Sequence, residues 1–321
     1  MTTKRSKYFK KKKEDEESSS ESQDSYSDAS YKDNSSSEQS GSGSRPQSET
    51  EYPESEDGIK VKRRRTDSQV STPEREDYSP GSMNPKSLKF LELLKDNNNR
   101  EWFNENKHLY DSSRKDYESF IDELVHNLTQ YDTEVPELPV KDFTFRLYRD
   151  VRFSHDKTPY KTHYASVFSR TGKKGPFAGY YITISGESCR IGAGYFPFGD
   201  RDTSQRKFQV LRDEIAQDSS RFKSRLTKIQ RNSGDAIFTS SHQNEQGIIE
   251  EFLAVNEFAA MKRCPAGYEK THPDVKLLML KSFIIRRDID LQILYKEGGA
   301  MIVAKLMAEM TPWVSRFCSS C

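Results

Sequence analysis

The sequence predicts an α+β domain behind a disordered leader. Three observations carry this reading. Apolar residues recur at helical spacing between positions 84 and 128, β-rich runs with short connections fill 143–194, and helical spacing returns beyond Pro197. Helices, then a meander, then helices define a small, mainly antiparallel sheet flanked by N-terminal and C-terminal helices.

The leader covers residues 1–82. It holds about twenty serines and almost no aliphatic side chains. Such a segment cannot bury enough apolar surface to offset a backbone ordering cost of about 1–2 kcal/mol per residue, so disorder is expected. A basic block at Lys60, Lys62, Arg63, Arg64 and Arg65 has the form of a nuclear-import signal. Serines followed by acids, as at Ser18 to Glu21 and Ser35 to Glu38, suit acid-directed kinases, and Thr72-Pro73 and Ser79-Pro80 suit proline-directed ones. Each phosphate would add about −1.5 to −2 charge beside the basic block. The expected partners of the leader are kinases and import machinery, and the expected location is nucleus and cytoplasm.

The domain is expected over residues 83–321. Asn84-Pro85 opens a helix, with a capping side chain before a proline at the first helical position. Leu88, Phe90, Leu91 and Leu94 form its apolar face, and Asn97, Asn98 and Asn99 stop it and cap the next. A long amphipathic helix carries Trp102, Phe103, Leu109, Tyr110, Tyr117, Phe120, Ile121, Leu124, Val125 and Leu128, with a bend expected at 111–113. Pro136 and Pro139 end the helical zone. Alternation of Phe143, Phe145, Leu147, Val151 and Phe153 with polar residues predicts a first strand. Further strands are expected at 164–168, 180–184 and 188–194, and short turns between them favour antiparallel pairing. Phe208, Val210, Leu211 and Ile215 predict one helical face, and Phe222, Leu226 and Ile229 another. Residues 231–247 read as a polar insertion, Ile284-Ile285 as a strand, and 289–310 as helix broken at Gly298-Gly299. Pro312-Trp313 opens a last turn.

The 321 residues carry 51 Lys+Arg against 50 Asp+Glu, a formal net charge of +1, so the molecule is not a polycation. An anionic partner would need a local patch. Only 33% of residues are hydrophobic and mean hydropathy is −0.93, both depressed by the leader. No apolar run approaches the roughly 20 residues that span a bilayer, and no secretory signal is readable, so no membrane partner is expected. The four cysteines are expected to be reduced. Cys318-Ser-Ser-Cys321 has redox spacing without the βαβ context such a pair needs. No Walker loop, nucleophile elbow or zinc-helix motif is present, and no cofactor or metal is implied.

The densest cluster of chemistry lies at 145–163. Arg146, Arg149, Arg152, Lys157 and Lys161 place five cations within sixteen positions. Alternation along a strand would set Arg146, Tyr148, Asp150 and Arg152 on one face, opposite Phe145, Leu147, Val151 and Phe153. A turn over 154–159 would return Lys157, Tyr160, Lys161 and His163 beside the arginines. Guanidinium forks suit phosphate or carboxylate oxygens. Arg146, Arg149, Arg152, Lys157, Tyr160 and Lys161 are therefore the candidate anion-binding set. Asp150, Asp156 and His163 are candidate acid–base groups. The alternative is a set of Arg–Asp pairs that merely pins the hairpin.

The string Phe145-Arg146-x-Tyr148-Arg149-Asp150-x-Arg152-Phe153-Ser154-x-Asp156-Lys157-x-Pro159-Tyr160-Lys161-x-His163 resembles the signature of the domain of unknown function 2461. Asn99-Arg100-Glu101-Trp102-Phe103, Gly192-Ala-Gly194-Tyr-Phe-Pro197, Gly267-Tyr268, His272-Pro273 and Lys281-Ser282-Phe283 follow in the family's order. The resemblance covers residues 84–317 and implies a single domain, with no established activity. Three roles stay open at this point. One is a binding module for a phosphate-bearing ligand or nucleic acid. The others are an enzyme using Asp150, Asp156 or His163, and an interaction scaffold with a paired network.

Overall fold

The computed structural model describes residues 81–152, 154–196, 201–233, 237–238 and 244–318. The import block, the phosphoacceptor motifs, Phe153 and the end of the Cys-Ser-Ser-Cys motif lie outside the described residues. Gly81 O accepts from Ala300 N at 2.8 Å, and Ser82 is buried.

Helix α1, Pro85–Asp96, begins as its cap residues dictate: Asn84 accepts from Lys86 N at 2.9 Å. Asn99 likewise accepts from Trp102 N at 2.8 Å and starts α2, Arg100–Glu105. Helix α3, Lys107–Tyr131, buries Tyr117, Phe120, Ile121, Leu124, Val125 and Leu128. The bend expected at 111–113 falls at Asn106 instead. There the side-chain Nδ2 donates to Trp102 O at 2.9 Å and closes α2. Ser113 does not break α3, because its hydroxyl donates away from the helix to Ser87 O at 2.7 Å.

Strands β1 (His163–Lys173), β2 (Gly179–Ser185), β3 (Cys189–Tyr195) and β4 (Phe283–Ile289) form one antiparallel sheet in the order β1-β2-β3-β4. The strand predicted from Phe143 onward is absent over the described residues 143–152. A 3-10 turn at Val140–Asp142 precedes this stretch, and among the described residues its strand pairing is limited to the isolated bridges Thr144–Ser166 and Tyr148–Tyr160.

Between β3 and β4 run α4 (Arg201–Asn232), α5 (Glu245–Asn256) and α6 (Val275–Leu278). The two apolar faces read in the sequence fall on either side of a break in α4. Asp218 is extended there and caps the second half by accepting from Ser220 N at 3.0 Å. Val210 is 51% exposed and does not belong to the first face. The stretch read as a polar insertion contains buried Ile237 and Phe238, whose N–H groups both donate to Gln230 Oε1, at 3.1 and 2.9 Å. Two apolar residues in a polar run give no periodicity, so the sequence signal was silent there.

Helices α7 (Gln292–Tyr295), α8 (Gly299–Ala308) and α9 (Thr311–Cys318) close the fold. Gly298, at φ 68°, supplies the left-handed turn between α7 and α8. One face of the sheet is buried: Tyr164, Phe168, Tyr180, Ile182, Ile184, Ile191, Tyr195 and Ile285 belong to it. Helix α3 reaches this face through Tyr117 Oη and Ser166 Oγ, 2.6 Å apart. Trp313 of α9, fully buried, meets Phe222, Phe252 and Phe317 edge-on. Among the described residues no helix is long and apolar enough to cross a membrane.

Candidate functional site

Residues 143–145 run alongside β1, with Phe145 N donating to Ala165 O and Val167 N to Phe143 O, both at 3.0 Å. The chain then folds back on itself. Arg149 N donates to Pro159 O at 2.9 Å and Lys161 N to Leu147 O at 2.8 Å, on either side of the Tyr148–Tyr160 bridge. Beyond the bridge, side chains capture the backbone of the tip. Asp150 accepts from Arg152 N at 3.2 Å, and Asp156 accepts from Thr158 N at 2.9 Å.

Three of the five predicted cations are spent inside this loop. The Arg149 guanidinium donates to Asp156, to the Thr158 hydroxyl and, at 3.3 Å, to Ser154 Oγ. Arg152 forks onto Asp150, Nε to Oδ1 at 2.9 Å and the terminal nitrogen to Oδ2 at 2.6 Å. Lys157 Nζ donates to Val151 O at 2.9 Å. Arg146 is exposed and its charge reaches Asp150. The Lys161 ammonium sits 5.6 Å from the Phe145 ring centroid. His163 opens β1 half-buried, and His155 is exposed at the tip. Among the described residues, no three His, Cys, Asp or Glu side chains gather as a metal-ion set.

This pairing sets the acidity of both carboxylates. Asp150 is held down to about 2, first by the Arg152 side-chain bond and then by the Arg152 backbone. Asp156 is also held down to about 2, first by the Thr158 N–H and then by Arg149. A folded value below the ordinary 3.8 means stability present above about pH 4 and lost as pH falls toward about 2. Carbon-detected NMR titration should place the Asp156 midpoint near 2. In Arg149→Ala it should rise yet stay below 3.8, because the Thr158 bond remains. An unshifted midpoint in the variant would show that Arg149 does not hold this carboxylate.

The other side of the bridge faces α2. The Asn98 side chain pairs with the Tyr160 backbone, Nδ2 to the carbonyl at 2.9 Å and Oδ1 from the N–H at 3.1 Å, as a neighbouring strand would. Phe103 stacks on Tyr160 with centroids 4.1 Å apart and 13° between planes. Tyr148 lies 6.0 Å from Phe103 and 5.2 Å from Tyr160. Tyr160 is 4% exposed, yet its hydroxyl has no hydrogen-bond partner among the described residues. Burial raises its pKa, against the nearby charge of Arg100. Arg100 itself is exposed, without an ion pair or hydrogen bond among the described residues. Asn98 and Arg100 were missed as site residues by the sequence reading. Arg100 stands in the matching string at 99–103, but nothing local joined that string to Tyr160, some sixty positions away.

These features define an α+β protein with a helix-backed antiparallel meander and a loop closed by its own arginines. Residues 86–315 match the family described as a conserved hypothetical protein (DUF2461), and the chain belongs to that family. Comparison with curated proteins and with solved structures found no match.

Proposed function

We propose that the chain is a binding module for an anionic group, a phosphate or carboxylate, held at the rim between α2 and the Tyr148–Tyr160 pair. The observation that supports it is the Tyr160 hydroxyl, on a nearly buried side chain, unpartnered and beside Arg100. Its oxygen is not among the buried polar atoms that lack a partner, so it still reaches solvent at the rim, where a ligand oxygen can meet it. Arg100 and Arg146 supply charge, and Tyr148 and Tyr160 supply hydroxyl donors. Arg149, Arg152 and Lys157 hold the loop that carries them. An acid–base role for Asp150 or Asp156 is disfavoured, because a carboxylate near 2 is a feeble base at neutral pH.

The full-length chain should melt at higher temperature in pyrophosphate. Tyr160→Phe removes one oxygen, and Arg100→Ala one charge. Each is expected to weaken pyrophosphate binding roughly 10- to 100-fold, the worth of one charge-assisted hydrogen bond. Unchanged affinity in both variants would overturn the rim site. The internally paired loop favours a second reading, an interaction scaffold. It gains if the wild type shows no shift with phosphate or pyrophosphate.

A further inference from the structure

The sheet's second face carries an arrangement that the rim site does not use. Strand side chains alternate between faces. The register sets Val167, Tyr181, Gly192 and Arg286 in one row across the four strands, and Ala165, Thr183, Arg190 and Asp288 in the next. These positions are half-buried or exposed, apart from the glycine.

A Cβ placed on Gly192 would lie 2.2, 2.3 and 2.4 Å from Tyr181 Cζ, Oη and Cε1. Near-equal distances to three atoms that are not in line put that point out of the ring plane, under the hydroxyl corner of the ring. Tyr181 therefore reaches across β3 and lays its hydroxyl end over a residue without a side chain. The tyrosine is half-buried. The floor beside it is made of small side chains, Ala165 and Thr183.

Arg286 stands opposite Gly192 on β4, near enough for its charge to act on the Tyr181 hydroxyl. It is exposed and has no ion pair or hydrogen bond among the described residues. The Tyr181 hydroxyl also lacks a hydrogen bond there. Arg190 is paired with Asp288 at 2.8 Å, so Arg286 leaves this patch positive. Covering a strand glycine with an aromatic ring accounts for the pose of Tyr181. It does not account for an unpaired arginine at the hydroxyl end of that ring.

We propose that this face binds a nucleotide unit, its base stacked on the outer face of Tyr181 and its phosphate on Arg286. A flat ring accepts any base, and a guanidinium fork suits phosphate oxygens. The unit is a free nucleotide or part of a single strand, since both present the same base and phosphate. The inference is independent of the rim site, with which it shares no residue.

Fluorescence anisotropy of the full-length chain with a labelled single-stranded oligonucleotide of about 12 nucleotides tests it, with AMP as competitor. Binding should weaken as salt rises. Tyr181→Ala and Arg286→Ala should each weaken it roughly 5- to 100-fold, the range for losing one stacked base or one charged contact. Tyr181→Phe, which keeps the ring over Gly192, should bind nearly as the wild type does. Arg100→Ala should leave this binding unchanged, which separates the two sites. Displacement by AMP assigns a free nucleotide, and strand binding that AMP does not displace assigns a single strand. No binding of either probe, or full binding by Arg286→Ala and Tyr181→Ala, would overturn the proposal. Arg286→Ala keeps the test sound should Tyr181→Ala fold poorly, since Arg286 is exposed.

Discussion

Asn256→Ala should lower the unfolding free energy by about 3–5 kcal/mol, on the order of 10 °C in melting temperature for a domain of this size. Asn256 is fully buried at the end of α5 and uses its whole bonding capacity. Its Nδ2 donates to Phe252 O at 2.8 Å and Ile284 O at 2.9 Å. Its Oδ1 accepts from Ser282 Oγ at 2.8 Å and Ile284 N at 3.0 Å. The side chain acts as a one-residue strand beside β4. Alanine would leave the Ile284 backbone and the Ser282 hydroxyl buried without partners, each at about 1–3 kcal/mol. The fall should appear as a lower denaturant midpoint at unchanged slope. A variant within about 0.5 kcal/mol of wild type would show that water replaces the amide freely.

Asn98 does for Tyr160 what Asn256 does for Ile284, and the pair marks the limit of what the sequence disclosed. Asn84 and Asn99 were legible as caps because a cap bonds two or three residues away. Asn98 and Asn256 bond backbone 62 and 28 positions away, and no local pattern announces that. The meander was legible for the same reason as the caps, since Gly186 and its neighbours turn the chain within a few residues. The cation cluster was legible as a cluster but not as a site. Spacing put Arg149 near Asp156 and Arg152 near Asp150 without saying whether each acid faces its arginine or the solvent. The loop resolves it through side chains that bond only two to nine positions away. Tyr181 over Gly192 could not be read at all, because it depends on the register of β2 against β3.

Phe103→Ala should cost about 3–5 kcal/mol and remove pyrophosphate binding at the rim together with it. Phe103 is 1% exposed, and Phe90, Tyr110, Tyr148 and Tyr160 all pack their rings against it, the closest being Tyr160. A cavity there removes both area and ring contacts worth about 0.5–1.5 kcal/mol each beyond area. The functional consequence comes from position. Tyr160 is held from above by Asn98 through its backbone and from the side by Phe103 through its ring. With the ring support gone, the hydroxyl loses its fixed place beside Arg100 while the Asn98 bonds persist. Phe103→Leu fills most of the volume without a ring, so it should recover the larger part of the stability. Denaturant midpoints and pyrophosphate titrations of both variants, taken below their melting range, check the coupling. If Phe103→Leu regains stability and binds as the wild type does, ring stacking does not position Tyr160. If it regains stability and still binds weakly, the aromatic stack is what links the α2 motif to the loop motif.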